Sequence, residues 1–253
     1  MLTYIENVFG RLFLLSGEMM ILFVQSVYGI RHAFTNLRRT LRQMEEIGVN
    51  TLPLAVMIGL FTGMVVALQT GTELKELGLE DAVGAIVGLS MVREMGPVIT
   101  GFIIAGRMGA AMAAELGTMA VTEEVDALRT MGINPVRYLV VPRFFASITM
   151  QPLLTIYSII VGVWGGKVIS TSYFRIPENV YYDRLFRAVE LDDVVTGLSK
   201  TIVFGAIISI VCCYCGLTTK GGAEGVGKST TRAVVIALTM ILVSDYFMTR
   251  FFA

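Results

Sequence analysis

Long apolar runs constrain the fold of this chain more than any other feature of its sequence. Leu52–Gly71, LPLAVMIGLFTGMVVALQTG, contains no charged residue. A helix needs about 20 mostly apolar residues to cross the hydrocarbon core of a bilayer. The whole chain has the same character, because 55% of its residues are hydrophobic, only 16% are charged and its mean hydropathy is +0.71. We therefore expect an all-α integral membrane protein rather than a soluble domain, in which about 25% of residues are charged.

A less uniform apolar stretch, residues 82–117, contains two arginines and two glutamates. As one straight helix it would be about 54 Å long, which exceeds the thickness of the bilayer core. The Gly96-Pro97 pair is typical of a kink, so we expect one long, tilted or bent crossing. The prediction is therefore five spans, at residues 52–71, 82–117, 142–165, 198–217 and 233–252.

The first 50 residues differ in character from the remainder of the chain at 51–253. The run Leu12–Val24 is apolar but too short to span, and Glu18 interrupts it, so we expect a helix lying in the membrane interface. No order of basic region, apolar core and small-residue cleavage site indicates a signal peptide. His32, the one histidine, lies among arginines and is expected on a solvated face.

Basic residues favour the cytoplasmic side of a membrane protein. Several arginines precede the first span, which places residues 31–50 inside, 72–81 outside, 118–141 inside, 166–197 outside and 218–232 inside. The 166–197 segment agrees least well, because it also holds Lys167, Arg175, Arg184 and Arg187.

The segment GGAEGVGKST, at Gly221–Thr230, matches the pattern of a phosphate-binding loop. A working phosphate loop follows a buried strand and opens a helix. Here the preceding run reads as a membrane span, and no apolar strand ending in aspartate supplies a magnesium partner. We interpret the segment as a cytoplasmic turn, with Ser229 or Thr230 as a helix cap.

Other kinds of chemistry find little support. Cys212, Cys213 and Cys215 have no histidine nearby and cannot all reach one ion, so buried free thiols are expected rather than a metal site. No constellation of catalytic residues indicates an enzyme. The formal net charge is zero, which gives no sign of nucleic-acid binding.

Small residues recur every four positions along two of the predicted spans. Such ridges let helices approach closely in lipid, and we read them as packing surfaces, with the lining of a substrate path as the alternative. The two ridges are Gly59, Gly63, Ala67 and Gly71, and Ala105, Gly109, Ala113 and Gly117.

Two charged residues, Arg93 and Glu94, fall within the second predicted span. Charge within a bilayer is costly, so such residues face protein or a water-filled cavity. A structural ion pair, a position near the outer interface, and contact with a lipid headgroup are all compatible with the sequence.

Residues 122–132 read as a short amphipathic helix between the second and third spans. Thr122 with the acids that follow it is typical of a helix start, and Gly132 with Asn134-Pro135 of a stop. Val125, Leu128 and Met131 fall on one side. The helix fits insertion into a groove of another protein or a position in the membrane interface.

Four separated motifs together resemble the MlaE family, the permease subunits of MCE-associated phospholipid ABC transporters. These motifs are GMVVALQ, MVREMGPVITGFIIAGRMGAAMAAELG, EEVDALRTMGINPVRYLVVPR and GGAEGVGKSTTRAVV. The resemblance covers roughly residues 45–250. The first 45 residues match the family only in character, as an interfacial helix followed by a basic segment. It implies an N-terminal interfacial helix, five spans and a short cytoplasmic coupling helix.

The resemblance also implies an assembly. Two copies of the permease form a homodimer, two cytoplasmic ATPase subunits bind ATP and magnesium, and a hexamer of MCE-domain proteins lies on the periplasmic side. The complex moves phospholipid between the inner membrane and the outer membrane or envelope. The chain itself would hold no cofactor or metal and have no catalytic residue. The inner membrane of a Gram-negative bacterium is the expected location, with the plastid inner envelope as an alternative.

The resemblance also bears on Lys228, whose position is often arginine in the family. This indicates a need for a basic residue there rather than for a phosphate-loop lysine.

Two sets of functional residues follow from the resemblance alone. The lipid-cavity set is Met64, Val65, Leu68, Arg93, Glu94 and Met95, and the ATPase-coupling set is Glu123, Glu124, Asp126, Ala127, Leu128 and Gly132.

Two other classes of protein remain open on the sequence. An ion-coupled secondary transporter would use carboxylates within the membrane, for which Glu94 and Asp245 are candidates, although no internal repeat is visible. A non-transporting membrane scaffold is the other alternative.

Overall fold

The computed structural model describes residues 2–31, 33 and 37–252, and the side chains from residue 15 onward. Within that part of the chain the regular structure is entirely helical. Five helices are long and apolar enough to cross a membrane, as predicted. We number these spans in chain order: span 1 (Leu52–Glu76), span 2 (Glu80–Val121), span 3 (Val141–Ser172), span 4 (Leu191–Leu217) and span 5 (Gly222–Phe252).

The segment before span 1 is also helical. A helix covers Leu2–Gly29, and a second, Leu37–Met44, continues through a π-helical turn at Glu45–Val49 to the start of span 1. Exposed apolar side chains on the first helix, among them Met20, Ile21 and Tyr28, fit the predicted interfacial position. His32 lies outside the described residues.

Span 2 is a composite helix. Its α-helical pieces Val83–Ser90, Gly96–Ile104 and Ala110–Val121 are joined by π-helical turns at Met91–Met95 and Ala105–Gly109 and preceded by a short 3₁₀ turn at Glu80–Ala82. The first π turn ends immediately before Gly96-Pro97, where the sequence predicts a kink. A proline ring clashes with the carbonyl four residues earlier, and a wider turn relieves that clash.

The glycine ridge of span 1 packs against span 3. Gly59, Gly63 and Gly71 are buried, and a β-carbon at Gly63 would lie only 1.8 Å from the carbonyl oxygen of Gly162. Gly162 belongs to span 3 and faces both Gly59 and Gly63 of span 1. The predicted packing role of this ridge is therefore confirmed, because any side chain at Gly63 would push the two helices apart.

The 166–197 segment contains a helix that the sequence analysis missed. Span 3 continues to Ser172, and a further helix covers Glu178–Ala188. Tyr181 and Leu185, one turn apart, are buried beneath it, and the Tyr181 hydroxyl donates to the carbonyl of Val163 at 3.0 Å. Burial raises the pKa of the Tyr181 phenol well above its usual range. This helix packs on the start of span 2 through Gly84, whose β-carbon position is 2.3 Å from the Tyr181 carbonyl oxygen.

Candidate functional site

Lys200 is the centre of a charged network that joins spans 2, 4 and 5. Its side chain is 1% exposed, and its Nζ lies 2.9 Å from Glu94 Oε1 and 3.1 Å from Asp245 Oδ1. It also donates to Thr249 Oγ1 at 2.7 Å, and Thr249 in turn donates to Glu94 at 3.1 Å. A buried ammonium is stable only when it is paired and hydrogen-bonded, and here three spans supply its partners.

The π turn of span 2 contributes one of those partners. Pro97 has no backbone N–H, so the carbonyl of Arg93, four residues earlier, lacks the donor that a regular α-helix would provide. Lys200 Nζ lies 3.1 Å from that carbonyl oxygen. The sequence irregularity at Gly96-Pro97 therefore creates an acceptor inside the bundle, and the lysine of a neighbouring span fills it.

A second ion pair extends the network toward the start of span 4. Arg93 Nε donates to Asp193 Oδ1 at 2.6 Å, and the Arg93 side chain is 56% exposed whereas that of Asp193 is 7% exposed. The other carboxylate oxygen of Asp193 accepts from the backbone N–H of Glu190, which completes the capping box of span 4. Arg93 and Glu94 thus pair with different residues rather than with each other.

The other residues of the expected lipid cavity lie mainly on an outer surface of the chain. Val65 and Leu68 are exposed on the flank of span 1 opposite its glycine ridge, with Phe61 one turn and Met57 two turns before Val65. Met64 is half-buried, and Met95 is exposed beside the charged network. Among the predicted cavity residues, Glu94 is the one whose carboxylate contacts a buried lysine.

The short helix between spans 2 and 3 covers Glu124–Thr130, inside the predicted 122–132. Val125 and Leu128 are buried against the ends of spans 2 and 3, whereas Ala127 is exposed. Met131, expected on the buried side, is 65% exposed. The exposed side carries the acids Glu123, Glu124 and Asp126.

The start of this helix differs from the predicted one. Thr122 ends span 2 instead of capping the next helix, because its hydroxyl donates to the carbonyl of Thr118 at 2.9 Å. Glu123 occupies the cap position with a left-handed φ of 61°, so the chain turns sharply between the two helices. Gly132, with a φ of 75°, ends the helix as expected, since glycine adopts this conformation without steric cost.

The segment Gly221–Thr230, called here the glycine-lysine segment, is helical from Gly222 rather than a loop. Span 5 begins at Gly222, and Lys228 pairs with Glu224 one turn earlier at 2.6 Å. The predicted caps are wrong: Ser229 lies inside the helix and donates to the carbonyl of Cys215 at 2.6 Å. The residues of the pattern are therefore helical from Gly222 rather than arranged as the loop whose successive N–H groups surround a phosphate.

The cysteines of span 4 are buried and not joined in a disulfide. Among residues 2–31, 33 and 37–252, no group of three histidine, cysteine or acidic side chains has the arrangement of a metal site.

The chain was compared with known protein families. The model of the family described as Permease MlaE matches residues 40–251. The chain belongs to the MlaE permease family. This membership agrees with the charged network and the short acidic helix, both of which lie within the matched region.

Similar proteins come from bacteria and from a plant. This MlaE permease is 45% identical over 213 residues to a probable ABC transporter permease protein of Synechocystis, covering 84% of this chain and 81% of that protein. It is 43% identical over 210 residues to a probable ABC transporter permease protein of Rickettsia typhi, covering 83% and 81%. It is 42% identical over 215 residues to protein TRIGALACTOSYLDIACYLGLYCEROL 1, chloroplastic, of Arabidopsis thaliana, covering 85% of this chain but 61% of that protein.

These relatives establish the general class of the chain. It is a multi-pass membrane permease of ABC transporter type, which selects this class over the secondary transporter and the scaffold. An ABC permease implies an ATPase partner and a membrane setting. Bacterial permeases and a chloroplast protein among its relatives agree with the inner membrane, or a plastid envelope, as the location.

Proposed function

We propose that this MlaE permease is the non-catalytic membrane subunit of a phospholipid transporter, in which a partner ATPase drives a lipid cavity between two copies of the chain. The observation that carries the proposal is the acidic helix Glu124–Thr130. It is fixed to the bundle by Val125 and Leu128 and leaves Glu123, Glu124 and Asp126 exposed. A short helix held rigidly on one side and charged on the other can transmit motion between a docked protein and spans 2 and 3.

The coupling set has a consistent division of labour in this proposal. The exposed acids and Ala127 would contact a groove of the ATPase, while Leu128 anchors the helix and Gly132 ends it. ATP and magnesium would be bound by the ATPase. The helical start of span 5 supports this assignment, because it leaves the glycine-lysine segment without a phosphate cradle.

The exposed apolar flank of span 1 supports a lipid cavity between two copies of the chain. Met57, Phe61, Val65 and Leu68 form a continuous apolar stripe, and span 5 is also mostly exposed. In the proposal, Met64 shapes the wall of the cavity. Arg93 and Met95 lie beside it, where a lipid headgroup could contact the half-exposed guanidinium of Arg93. Glu94 acts through Lys200, which it helps to fix.

Phospholipid is the proposed cargo, and its acceptor is a hexamer of MCE-domain proteins on the periplasmic side. The name of the Arabidopsis relative refers to a glycerolipid, trigalactosyldiacylglycerol, which supports a membrane lipid as the transported class. The complex would move phospholipid between the inner membrane and the outer membrane or envelope.

The coupling role is tested by reversing the three exposed acids to lysine at Glu123, Glu124 and Asp126. We expect the variant to fold and to lose both co-purification with the ATPase and lipid-stimulated ATP hydrolysis, because its charge would repel a groove that now binds acids. The matched control replaces Glu73, Glu76 and Glu80 with lysine. These acids lie at the end of span 1 and the start of span 2, which the predicted topology places on the other side of the membrane from the acidic helix. Retained hydrolysis in the first variant would remove the basis of the proposal.

The lipid path is tested by photo-crosslinking amino acids placed at Val65 and Leu68 in the purified complex. We expect phospholipid adducts at both positions and none at Ala55, which is buried against the bundle. Adducts that appear equally on the exposed apolar residues of the Leu2–Gly29 helix would indicate general bilayer contact and contradict a specific cavity.

A further inference from the structure

A cavity of about 540 Å³ lies between the acidic helix, the end of span 2, the start of span 3 and the helical segment before span 1. Its wall combines Met119 near the end of span 2, Pro142 at the start of span 3, and residues of the Leu37–Met44 helix that leads into span 1. It is separate from the charged network around Lys200 and from the exposed stripe of span 1. Glu124, Ala127 and Leu128 of the coupling set line it, but no role assigned above makes it a site for a small ligand.

The ionisable side chains of this cavity are unevenly paired. Two ion pairs lie within the wall: Arg42 with Glu46 at 3.2 Å, and Arg143 with Glu115 at 2.7 Å. Arg39 and Glu124 also line the cavity, and neither forms an ion pair with any residue that the structure describes. The cavity therefore presents one guanidinium and one carboxylate whose charges are not balanced within the described chain.

Both of these side chains are held in place by neutral neighbours. The guanidinium of Arg39 lies 3.6 Å from the centre of the Tyr138 ring and donates to its hydroxyl. Glu124 Oε1 lies 3.1 Å from Thr122 Oγ1, a neutral hydroxyl. An arginine has five N–H donors and an ionised carboxylate about four acceptor sites, so both retain capacity for a ligand.

The floor of the cavity is a built polar site rather than a surface groove. The Arg143 side chain is 5% exposed, donates to the carbonyl of Leu139 at 2.7 Å, and has an Nε without a partner among the described residues. Burying a guanidinium is costly unless its surroundings compensate the charge. Glu115 offsets this charge, and the unpartnered Nε leaves one N–H at this depth that can donate to an acceptor oxygen of a ligand.

The position of the cavity along the chain fits the headgroup region of a bilayer. Its lining comes from the end of span 2, the start of span 3, the acidic helix and the segment before span 1, where the apolar core of a bilayer would give way to headgroups. The neighbouring helix Leu37–Met44 exposes Leu37 and Leu41, each 53% exposed, next to three arginines. Such a helix can rest its apolar residues among acyl chains and its arginines among phosphates.

We propose that this cavity binds a zwitterionic phosphoethanolamine headgroup from the lipid leaflet on the side of the acidic helix. The phosphate would meet Arg39 over the fixed charge of Arg143, and the primary ammonium would donate to Glu124. A phosphocholine headgroup has no N–H to donate, so the carboxylate distinguishes the two. The proposal deepens the proposed function, on which it rests for the orientation of the chain. Of the three exposed acids it leaves Glu123 and Asp126 to the ATPase, assigns Glu124 to the cavity that it lines, and so makes the coupling helix responsive to the lipid beside it.

The test uses the purified transporter complex in vesicles of phosphatidylcholine that contain a phosphatidylethanolamine with a photoreactive group near its headgroup. Adducts are mapped by mass spectrometry of peptides. We expect wild-type adducts on the segments around Glu124 and Arg143, and about tenfold fewer in Arg39→Gln, as the loss of one charge-assisted hydrogen bond implies. Arg38→Gln is the matched control, because Arg38 lies on the same helix, carries the same charge and does not line the cavity.

Competition experiments identify the source of the headgroup. Soluble glycerophosphoethanolamine and inorganic phosphate at equal concentration should displace the lipid weakly, because neither partitions into the membrane. Efficient displacement by phosphate alone would show a simple anion site and overturn the proposal. Equal losses in Arg39→Gln and Arg38→Gln would show general surface charge. Adducts that appear on the permease alone and vanish when the ATPase binds would show that a protein side chain occupies the cavity, which also contradicts the proposal.

These outcomes separate the inference from the function on which it rests. If the acid-to-lysine reversal leaves the ATPase bound and active, the coupling proposal fails, whatever the adducts show. If the reversal abolishes coupling but the headgroup probe labels the cavity no more than the rest of the surface, only the headgroup proposal fails.

Discussion

The two charged regions of this permease solve opposite problems. Around Lys200, charges inside the bundle find their partners within the same chain, across three spans. On the acidic helix, Glu123 and Glu124 have no ion-pair partner among the residues that the structure describes, and Asp126 pairs only with the exposed Arg129 one turn later. Charge that is satisfied internally organises the fold, whereas charge left at the surface is available to another molecule.

Replacing Lys200 should have the largest effect on stability. Lys200→Met would leave the carboxylates of Glu94 and Asp245 without their cation, and removal of one partner from a buried ion pair costs about 3–5 kcal/mol. We expect a strongly lowered thermal transition of the detergent-solubilised protein. Combining Lys200→Met with Glu94→Gln and Asp245→Asn should restore most of the loss. A triple variant no more stable than Lys200→Met would show that packing of the lysine stem, rather than charge, holds the three spans together.

Asp193→Asn should have an intermediate effect. It weakens the pair with Arg93, and because the arginine is more than half exposed, we expect a loss of about 1 kcal/mol. Asp192→Asn, a change of the exposed neighbour, should be close to neutral. Chemical unfolding of the two variants side by side measures the difference. Equal destabilisation would show that the start of span 4 in general, rather than the ion pair, matters for stability.

Lys228→Ala should have the smallest effect. Its pair with Glu224 is an exposed contact one helical turn apart, worth about 0.3–0.5 kcal/mol. We expect ATP hydrolysis by the complex to remain largely intact, whereas the equivalent change in the phosphate-loop lysine of the ATPase should abolish it. A loss of hydrolysis in Lys228→Ala with the complex still assembled would mean that this residue contacts the nucleotide or the ATPase directly.

The sequence predicts most strongly those features that depend on local composition. An apolar run of about 20 residues is sufficient to predict a span, and Gly132 is sufficient to end the acidic helix. The ends of the spans are harder to predict, since a helix does not stop where its apolar residues stop. Span 5 begins at Gly222, well before its apolar part, because the helical hydrogen bonds continue through polar residues.

The charged network shows what local patterns omit. That Glu94 needs a partner follows from its position in a span. That the partner is Lys200, 106 residues away, depends on how spans 2 and 4 pack, which no local pattern encodes. The helix Glu178–Ala188 did carry a readable signal: Pro177 precedes it, and the apolar Tyr181 and Leu185 lie one turn apart.

Span 5 has a mechanical consequence for transport. Near one end, Asp245 and Thr249 are fastened to Lys200, and near the other, Ser229 is bonded to the carbonyl of Cys215. Between these two attachments one face of the helix stays on the bundle through Ala233, Ala237 and Ile241, all fully buried, while the opposite face is exposed. A helix seated along its whole length on spans 2 and 4 follows its support as a unit, so movements of those spans would carry span 5 with them rather than bend it. The exposed surface that a second copy of the chain or a lipid would meet would then shift as a whole.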